Sequence, residues 1–209
     1  LLNAIPGVAA HFIGRIPGVE VTVEREEAMT RLAPYQQETL RSLGLGDYPL
    51  VTAEQVHGNK IALVETSSSQ LPTPGIDGLM TCTRGITLGI SVADCAPVWI
   101  VARNGSAGAL LHSGKKGTEL GIVIEGIRAL HTHFSLTPSE LILVIGPCIR
   151  GCCYEVDFAA TIRNQAKESG VKEIHDELIC TACHPALYYS YRREKGLTGR
   201  MLATLTLLP

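Results

Sequence analysis

The stretch LMTCTRGITLGISVADCAPVWIVARNGSAGALLH, residues 79–112, decides how the chain is read. It divides into four short runs rich in Leu, Ile, Val and Ala: Leu79–Thr81, Ile86–Val92, Val98–Ala102 and Ala109–His112. Gly, Asp and Asn-Gly turn formers separate them, so each run has the length of a strand and none has room for a helix. Asn104-Gly105, between the last two runs, predicts a hairpin. Upstream, Glu24 to Leu45 reads as a helix with Met29, Leu32, Leu40 and Leu43 as its apolar members and Gly44 near its stop. Strands follow at Leu50–Thr52 and Lys60–Val64, and the Ser/Pro/Thr-rich segment Thr66–Gly75 reads as a surface loop. Downstream, helices are expected over Gly121–His133, Val156–Ser169 and, briefly, Pro185–Arg193, with an apolar strand at Leu141–Ile145. The expected fold class is α+β, with mixed sheets and helices outside. No repeat or composition break divides the chain, so one domain is expected over residues 1–209.

Composition narrows the function classes. The 209 residues carry 45% hydrophobic and 18% charged residues, which suits a packed globular body. A net charge of −2 with scattered Lys and Arg gives no footprint for nucleic acid. No apolar run reaches the roughly 18 residues of a membrane span, and the opening Leu1-Leu2-Asn3-Ala4-Ile5-Pro6 is a poor signal peptide. Seven cysteines, an odd number, argue against a disulfide framework and for a reducing, cytoplasmic location.

His57, Cys95 and His112 each lie at a strand end beside small or turn-forming residues, where chain geometry builds sites. Two imidazoles and a thiolate can hold a first-row metal and leave a position open. The same residues could form a Cys-His nucleophilic pair, or three unrelated core and turn positions, and spacing alone does not choose among these.

A set of ordered motifs adds to this reading. Gln55-Val56-His57-Gly58, Ile76-Asp77-Gly78-Leu79, Val92-Ala93-Asp94-Cys95-Ala96-Pro97 and His112-x-Gly114-x-x-Gly117-Thr118 are followed by Ile145-Gly146-Pro147-Cys148-Ile149 and Cys152-Cys153-Tyr154-Glu155-Val156. Ser190-Tyr191-Arg192-Arg193 and Thr198-Gly199-Arg200-Met201 complete the series, and Phe12-x-x-Arg15-x-x-Gly18-Val19 fits an N-terminal pattern less closely. Together they resemble the YfiH/laccase-domain family. The resemblance implies a layered α/β sandwich related to cysteine-hydrolase-like toxin domains. It also implies zinc, or copper, on His57, Cys95 and His112, and purine nucleoside chemistry: phosphorolysis of adenosine, inosine and methylthioadenosine, and deamination of adenosine. Polyphenol oxidation and editing of peptidoglycan precursors have also been attributed to members.

On that basis Cys95, His57, His112 and Asp94 are the candidate catalytic residues, and Arg15, Lys116 and Arg192 are candidate cations for a phosphate or nucleoside substrate. Where the family usually has His-Ala-Gly-Trp-Arg-Gly, this chain has His112-Ser113-Gly114-Lys115-Lys116-Gly117. Lys116 keeps a charge at the Arg position without its planar fork. A metal-free amide hydrolase and a member that binds nucleotides without turnover are the rival expectations.

Two cysteine patterns invite other readings. Cys180-Thr181-Ala182-Cys183-His184 matches the c-type haem motif, but such attachment requires an exported chain, so free thiols are expected. Cys148 with Cys152-Cys153 reads as structural, because adjacent cysteines do not easily both face one tetrahedral ion.

Overall fold

The computed structural model describes residues 1–66 and 72–209, so residues 67–71 of the expected Thr66–Gly75 loop lie outside the described residues. Among the described residues, ten strands form two mixed sheets. The smaller has the order β1 (Val8–Ile13), β10 (Met201–Leu207), β5 (Thr87–Val92) and β2 (Leu50–Thr52). The larger has the order β3 (Ile61–Leu63), β4 (Gly78–Thr81), β7 (Gly108–Ser113), β6 (Ala96–Ala102), β8 (Leu141–Ile145) and β9 (Glu173–Asp176). Helices α2 (Lys115–Glu119), α3 (Ile122–Phe134) and α4 (Phe158–Glu168) belong with the larger sheet, and α1 (Arg25–Ser42) with the smaller.

The alternation of strand side chains explains the layers. In β6, Val98, Ile100 and Ala102 join a core with Ile122, Ile127 and Leu130 of α3 and Ile162 of α4. The intervening Trp99 and Val101 face the opposite way, into a second core shared with Leu88, Ile90, Ala203 and Leu205 of the smaller sheet. In β8, Leu143 and Ile145 take the helix side, and Ile142 and Val144 the sheet side. Both faces of these strands are covered, so they read as continuous apolar runs. A third core places Leu40 of α1 against Ala9, Ile13 and Leu202 on the outer face of the smaller sheet. The result is a layered α/β sandwich.

The hairpin at Asn104-Gly105 joins antiparallel β6 and β7, with Gly105 at φ +68°. Three strands escape the sequence reading: β1, β9 and β10. The expected helix over Pro185–Arg193 is a series of turns instead. Side chains capture the backbone donors a helix would need there: Glu194 accepts from Ser190 N (2.9 Å), Asp94 from Arg192 N (2.7 Å) and the Ser190 hydroxyl from Arg193 N (3.2 Å). No helix is long and apolar enough to cross a membrane among the described residues.

Trp99, the chain's single tryptophan, ties the sheets together, its indole N–H donating to the Thr204 carbonyl of β10 (2.9 Å). Its ring also lies where Gly146 leaves room, since a Cβ there would come within 2.7 Å of it. Trp99→Phe removes the bond and shrinks a ring buried between the sheets, so we expect a loss of about 1–3 kcal/mol in urea unfolding followed by circular dichroism. A variant as stable as the parent would show that the indole does not join the sheets.

Candidate metal centre and its cleft

Strand register assembles most of the centre. Beta-strands β4 and β7 pair with Gly78 opposite Leu111, and β6 and β7 with Pro97 opposite His112 and Ala96 opposite Ser113. One further step along each ladder sets Asp77 across from His112 and Cys95 across from Gly114. Because side chains alternate, Asp77, Cys95 and His112 share the face that carries Leu79, Trp99 and Leu110, at the end of the sheet. Gly114 is required by this approach: a Cβ there would lie 2.5 Å from the Cys95 sulfur.

His57 arrives from the other sheet, in the loop after β2. Gln55 steers that loop by pairing its side-chain amide with the backbone of Ser91 in β5, donating to the carbonyl (2.6 Å) and accepting from the N–H (2.9 Å). Asp77 then captures it. Its fully buried carboxylate accepts from the backbone N–H groups of Val56 (3.2 Å), His57 (2.8 Å) and Gly58 (2.7 Å). The same carboxylate lies 2.9 Å from His112 Nδ1. Gln55, His57 and Asp94 all hold left-handed backbone, at φ +66°, +62° and +87°. Non-glycine residues take that region at a cost, and such strain concentrates at functional sites.

The ligand atoms of His57, Cys95 and His112 all lie within 4.8 Å of one another. Burial would push the Cys95 thiol up, but the charge and hydrogen bond of His112, joined by His57, bring it down to about 6. Burial would likewise lower His112, yet the Cys95 thiolate and Asp77 raise it to about 9. The opposed shifts favour a thiolate–imidazolium pair. The donor set fits a metal ion: a thiolate and two imidazoles, with Asp77 on His112 Nδ1 leaving Nε2 for the centre. Two imidazoles and a thiolate suit zinc and copper alike.

The family model described as multi-copper polyphenol oxidoreductase laccase matches residues 18–161 and 156–208. The chain belongs to this laccase family. It is 32% identical to a protein named purine nucleoside phosphorylase YlmD from Geobacillus stearothermophilus, over 73% of this chain and 70% of that one. It is 28% identical to the purine nucleoside phosphorylase SCO2081 of Streptomyces coelicolor, over 90% of this chain and 83% of the relative. The crystal structure of the Geobacillus YlmD superposes with a TM-score of 0.85 at 27% identity, covering 98% of this chain and 93% of that one. A Bacillus licheniformis protein, YfiH, shares the fold with a TM-score of 0.86 at 23% identity, covering 96% and 92%.

In this laccase-family chain the three residues open onto a cleft of about 900 Å³, which Arg25, Lys115, Arg192 and Arg200 also line. The expected cations are only partly there. Arg192 lines the cleft, pairs with Glu155 (2.6 Å) and lies 5.0 Å from the Tyr154 ring centre. Lys116 does not line it; Lys115 does, because successive helical residues point about 100° apart. Arg15 is also outside, its guanidinium bonded to the Tyr188 carbonyl and Glu194 and lying over the Tyr189 ring. Asp94 borders the cleft, but its carboxylate accepts from the hydroxyls of Thr181 (2.6 Å) and Ser190 (3.0 Å) and from Arg192 N. It braces the turn that carries Arg192. Asp77, Gln55, Arg25 and Arg200 carried no role in the sequence reading. The Ile76-Asp77-Gly78-Leu79 motif was the available signal for Asp77, and Thr198-Gly199-Arg200-Met201 for Arg200.

Asp77→Asn keeps the shape and removes the charge. In metal-free protein we expect a loss of about 2–4 kcal/mol, because buried donors lose their acceptor. Burial would raise the Asp77 carboxyl, but His112 and the backbone donors hold it below the usual range. Its contribution is therefore complete above about pH 3.9 and is lost as pH falls through the lower native value. The stability gap between parent and variant should close in acid, as urea titrations from neutral pH downward would show. A gap that is small at pH 7 would contradict the role given to Asp77.

Proposed function

We propose that the protein is a zinc-dependent purine nucleoside phosphorylase, cleaving adenosine, inosine or methylthioadenosine with phosphate and deaminating adenosine at the same centre. The observation that carries this reading is the convergence of His57, Cys95 and His112 on the floor of a cation-lined cleft. The relatives named purine nucleoside phosphorylase support it. A zinc ion, or copper, held by His57, Cys95 and His112 would supply Lewis acidity there at neutral pH.

The chain's own groups have separable tasks. Lys115 and Arg192 bind phosphate and hold it toward C1′ of the ribose, with Arg25 and Arg200 adding positive potential. Tyr154, Phe158 and Tyr191, which also line the cleft, offer ring faces to the purine. Asp77 fixes the His112 ring, and Asp94 fixes the turn of Ser190 and Arg192. The glycosidic bond breaks, phosphate takes the ribose, and the base leaves. The thiolate–imidazolium pair favours one second reading, a metal-free Cys95 nucleophile acting on an amide.

The assay is release of base and ribose 1-phosphate from inosine or adenosine, with metal measured on the same samples. Cys95→Ala should lose activity by a factor of about 100 or more along with the metal at that centre. Lys115→Ala should raise the phosphate KM about tenfold, the worth of a charged hydrogen bond, while Lys116→Ala stays within about twofold. Full activity after removal of metal would transfer the reading to the nucleophile. No turnover by metal-replete protein would contradict it.

A further inference from the structure

A second cluster of metal-binding side chains lies away from the centre just described. The sulfurs of Cys152, Cys153, Cys180 and Cys183 all fall within 4.8 Å of one another. Cys183 Sγ lies 3.5 Å from Cys152 Sγ and 3.4 Å from Cys153 Sγ. All four are free thiols. The separations are too long for a disulfide, whose sulfurs sit about 2.05 Å apart. They approach the edge of a tetrahedron of sulfurs around zinc, about 3.8 Å for bonds of about 2.3 Å.

The local chain explains how neighbours in sequence come to share one focus, against the expectation that adjacent cysteines would point apart. After β8, residues 150–154 form a tight turn in which the N–H groups of Cys153 and Tyr154 both bond to the Arg150 carbonyl (2.9 Å each). On that turn both Cys152 and Cys153 reach Cys183. The other two thiols belong to a Cys-x-x-Cys pair across the 3-10 turn Thr181–Cys183, closed by Cys183 N donating to the Cys180 carbonyl (3.2 Å). A bridge between Cys148 and Cys180 aligns the two segments. Arg193, bonded to the Ala182 carbonyl (3.0 Å), brings a cation beside a group that would carry excess negative charge. Cys152 and Cys183 are exposed, so an ion has a path in.

We propose that Cys152, Cys153, Cys180 and Cys183 bind a second zinc ion as a closed, four-thiolate structural site. Its donors are all soft and all supplied by the protein, the pattern of a structural rather than a catalytic zinc. The ion joins the loop after β8 to the loop after β9. The first loop lines the cleft through Tyr154, and the second is bonded to it through the Thr181 hydroxyl, which donates to the cleft residue Asp94. The zinc therefore stiffens the cleft wall from behind.

The Cys95→Ala variant isolates this site, because the remaining metal cannot use the His57–Cys95–His112 centre. Untagged protein, stripped with chelator under reducing conditions, would be reloaded with zinc or with cobalt(II). We expect two zinc ions per chain in the parent, one in Cys95→Ala and none in Cys95→Ala/Cys183→Ser. Cobalt-loaded Cys95→Ala should show the visible bands of tetrahedral cobalt and strong sulfur-to-cobalt charge transfer. This spectrum requires no change in the cluster, so it decides the matter even if the double variant fails to fold. Equal zinc content in Cys95→Ala and the folded double variant would overturn the proposal. So would a cobalt spectrum without thiolate bands, or an intact mass two hydrogens light that maps to a disulfide among these four residues in reduced preparations.

Discussion

The carboxylate of Asp77 is the interaction on which the site depends. It is fully buried, and it accepts from three successive backbone N–H groups of the His57 loop while holding His112 Nδ1. An unpaired carboxylate there would be costly, and three unpaired amides would be nearly as costly. Each side therefore compels the other. Asp77 joins a loop from the smaller sheet to a strand end of the larger, and the convergence of His57 with Cys95 and His112 is the by-product of that bond. His57 can keep its left-handed backbone because Asp77 and Gln55 over-determine it.

The layered architecture places this bond where chemistry can use it. The faces of the two sheets close on one apolar core, with Trp99 bonded across it. At the strand ends, where Cys95 and Ser113 leave the ladder, the interior meets a cleft. Loops form part of its wall, alongside Arg25 of α1, Lys115 of α2 and Phe158 of α4, and side chains brace those loops: Asp94 holds residues 181, 190 and 192, and Glu194 holds Ser190 and Thr198. A four-thiolate zinc would add to that bracing by joining the loop after β8 to the loop after β9. The protein thus adds to the strand register polar hubs, each bonded to several segments, that position the loop residues of the cleft.

The central strands were legible because Gly, Asp and Asn-Gly mark their ends and Val, Ile and Leu fill them. Beta-strand β10 was not, although it lies in the middle of the smaller sheet. Its Thr204 and Thr206 look like surface residues until Thr206 is seen bonded to Thr87 (2.8 Å) inside the sheet. His57, Cys95 and His112 could be picked out by residue type and motif, but Asp77 could not be given a role. Its task follows from the register of β4 on β7, which no local pattern prints. Lys115 and Lys116 differ only in helical phase, and that phase depends on where α2 begins. The paired cysteines fail for a similar reason: whether neighbours diverge or converge is set by a turn whose hydrogen bonds are not visible in residue types.

The proposed chemistry requires a metal ion at the meeting point of His57, Cys95 and His112. Diffraction from metal-replete crystals, recorded on either side of the absorption edge of the bound element, addresses this most directly. An anomalous peak between the His57 ring, the Cys95 sulfur and the His112 nitrogen not bonded to Asp77 is the result predicted. Metal-replete crystals in which Cys95 instead bonds directly to His112, with no anomalous peak between them, would contradict it.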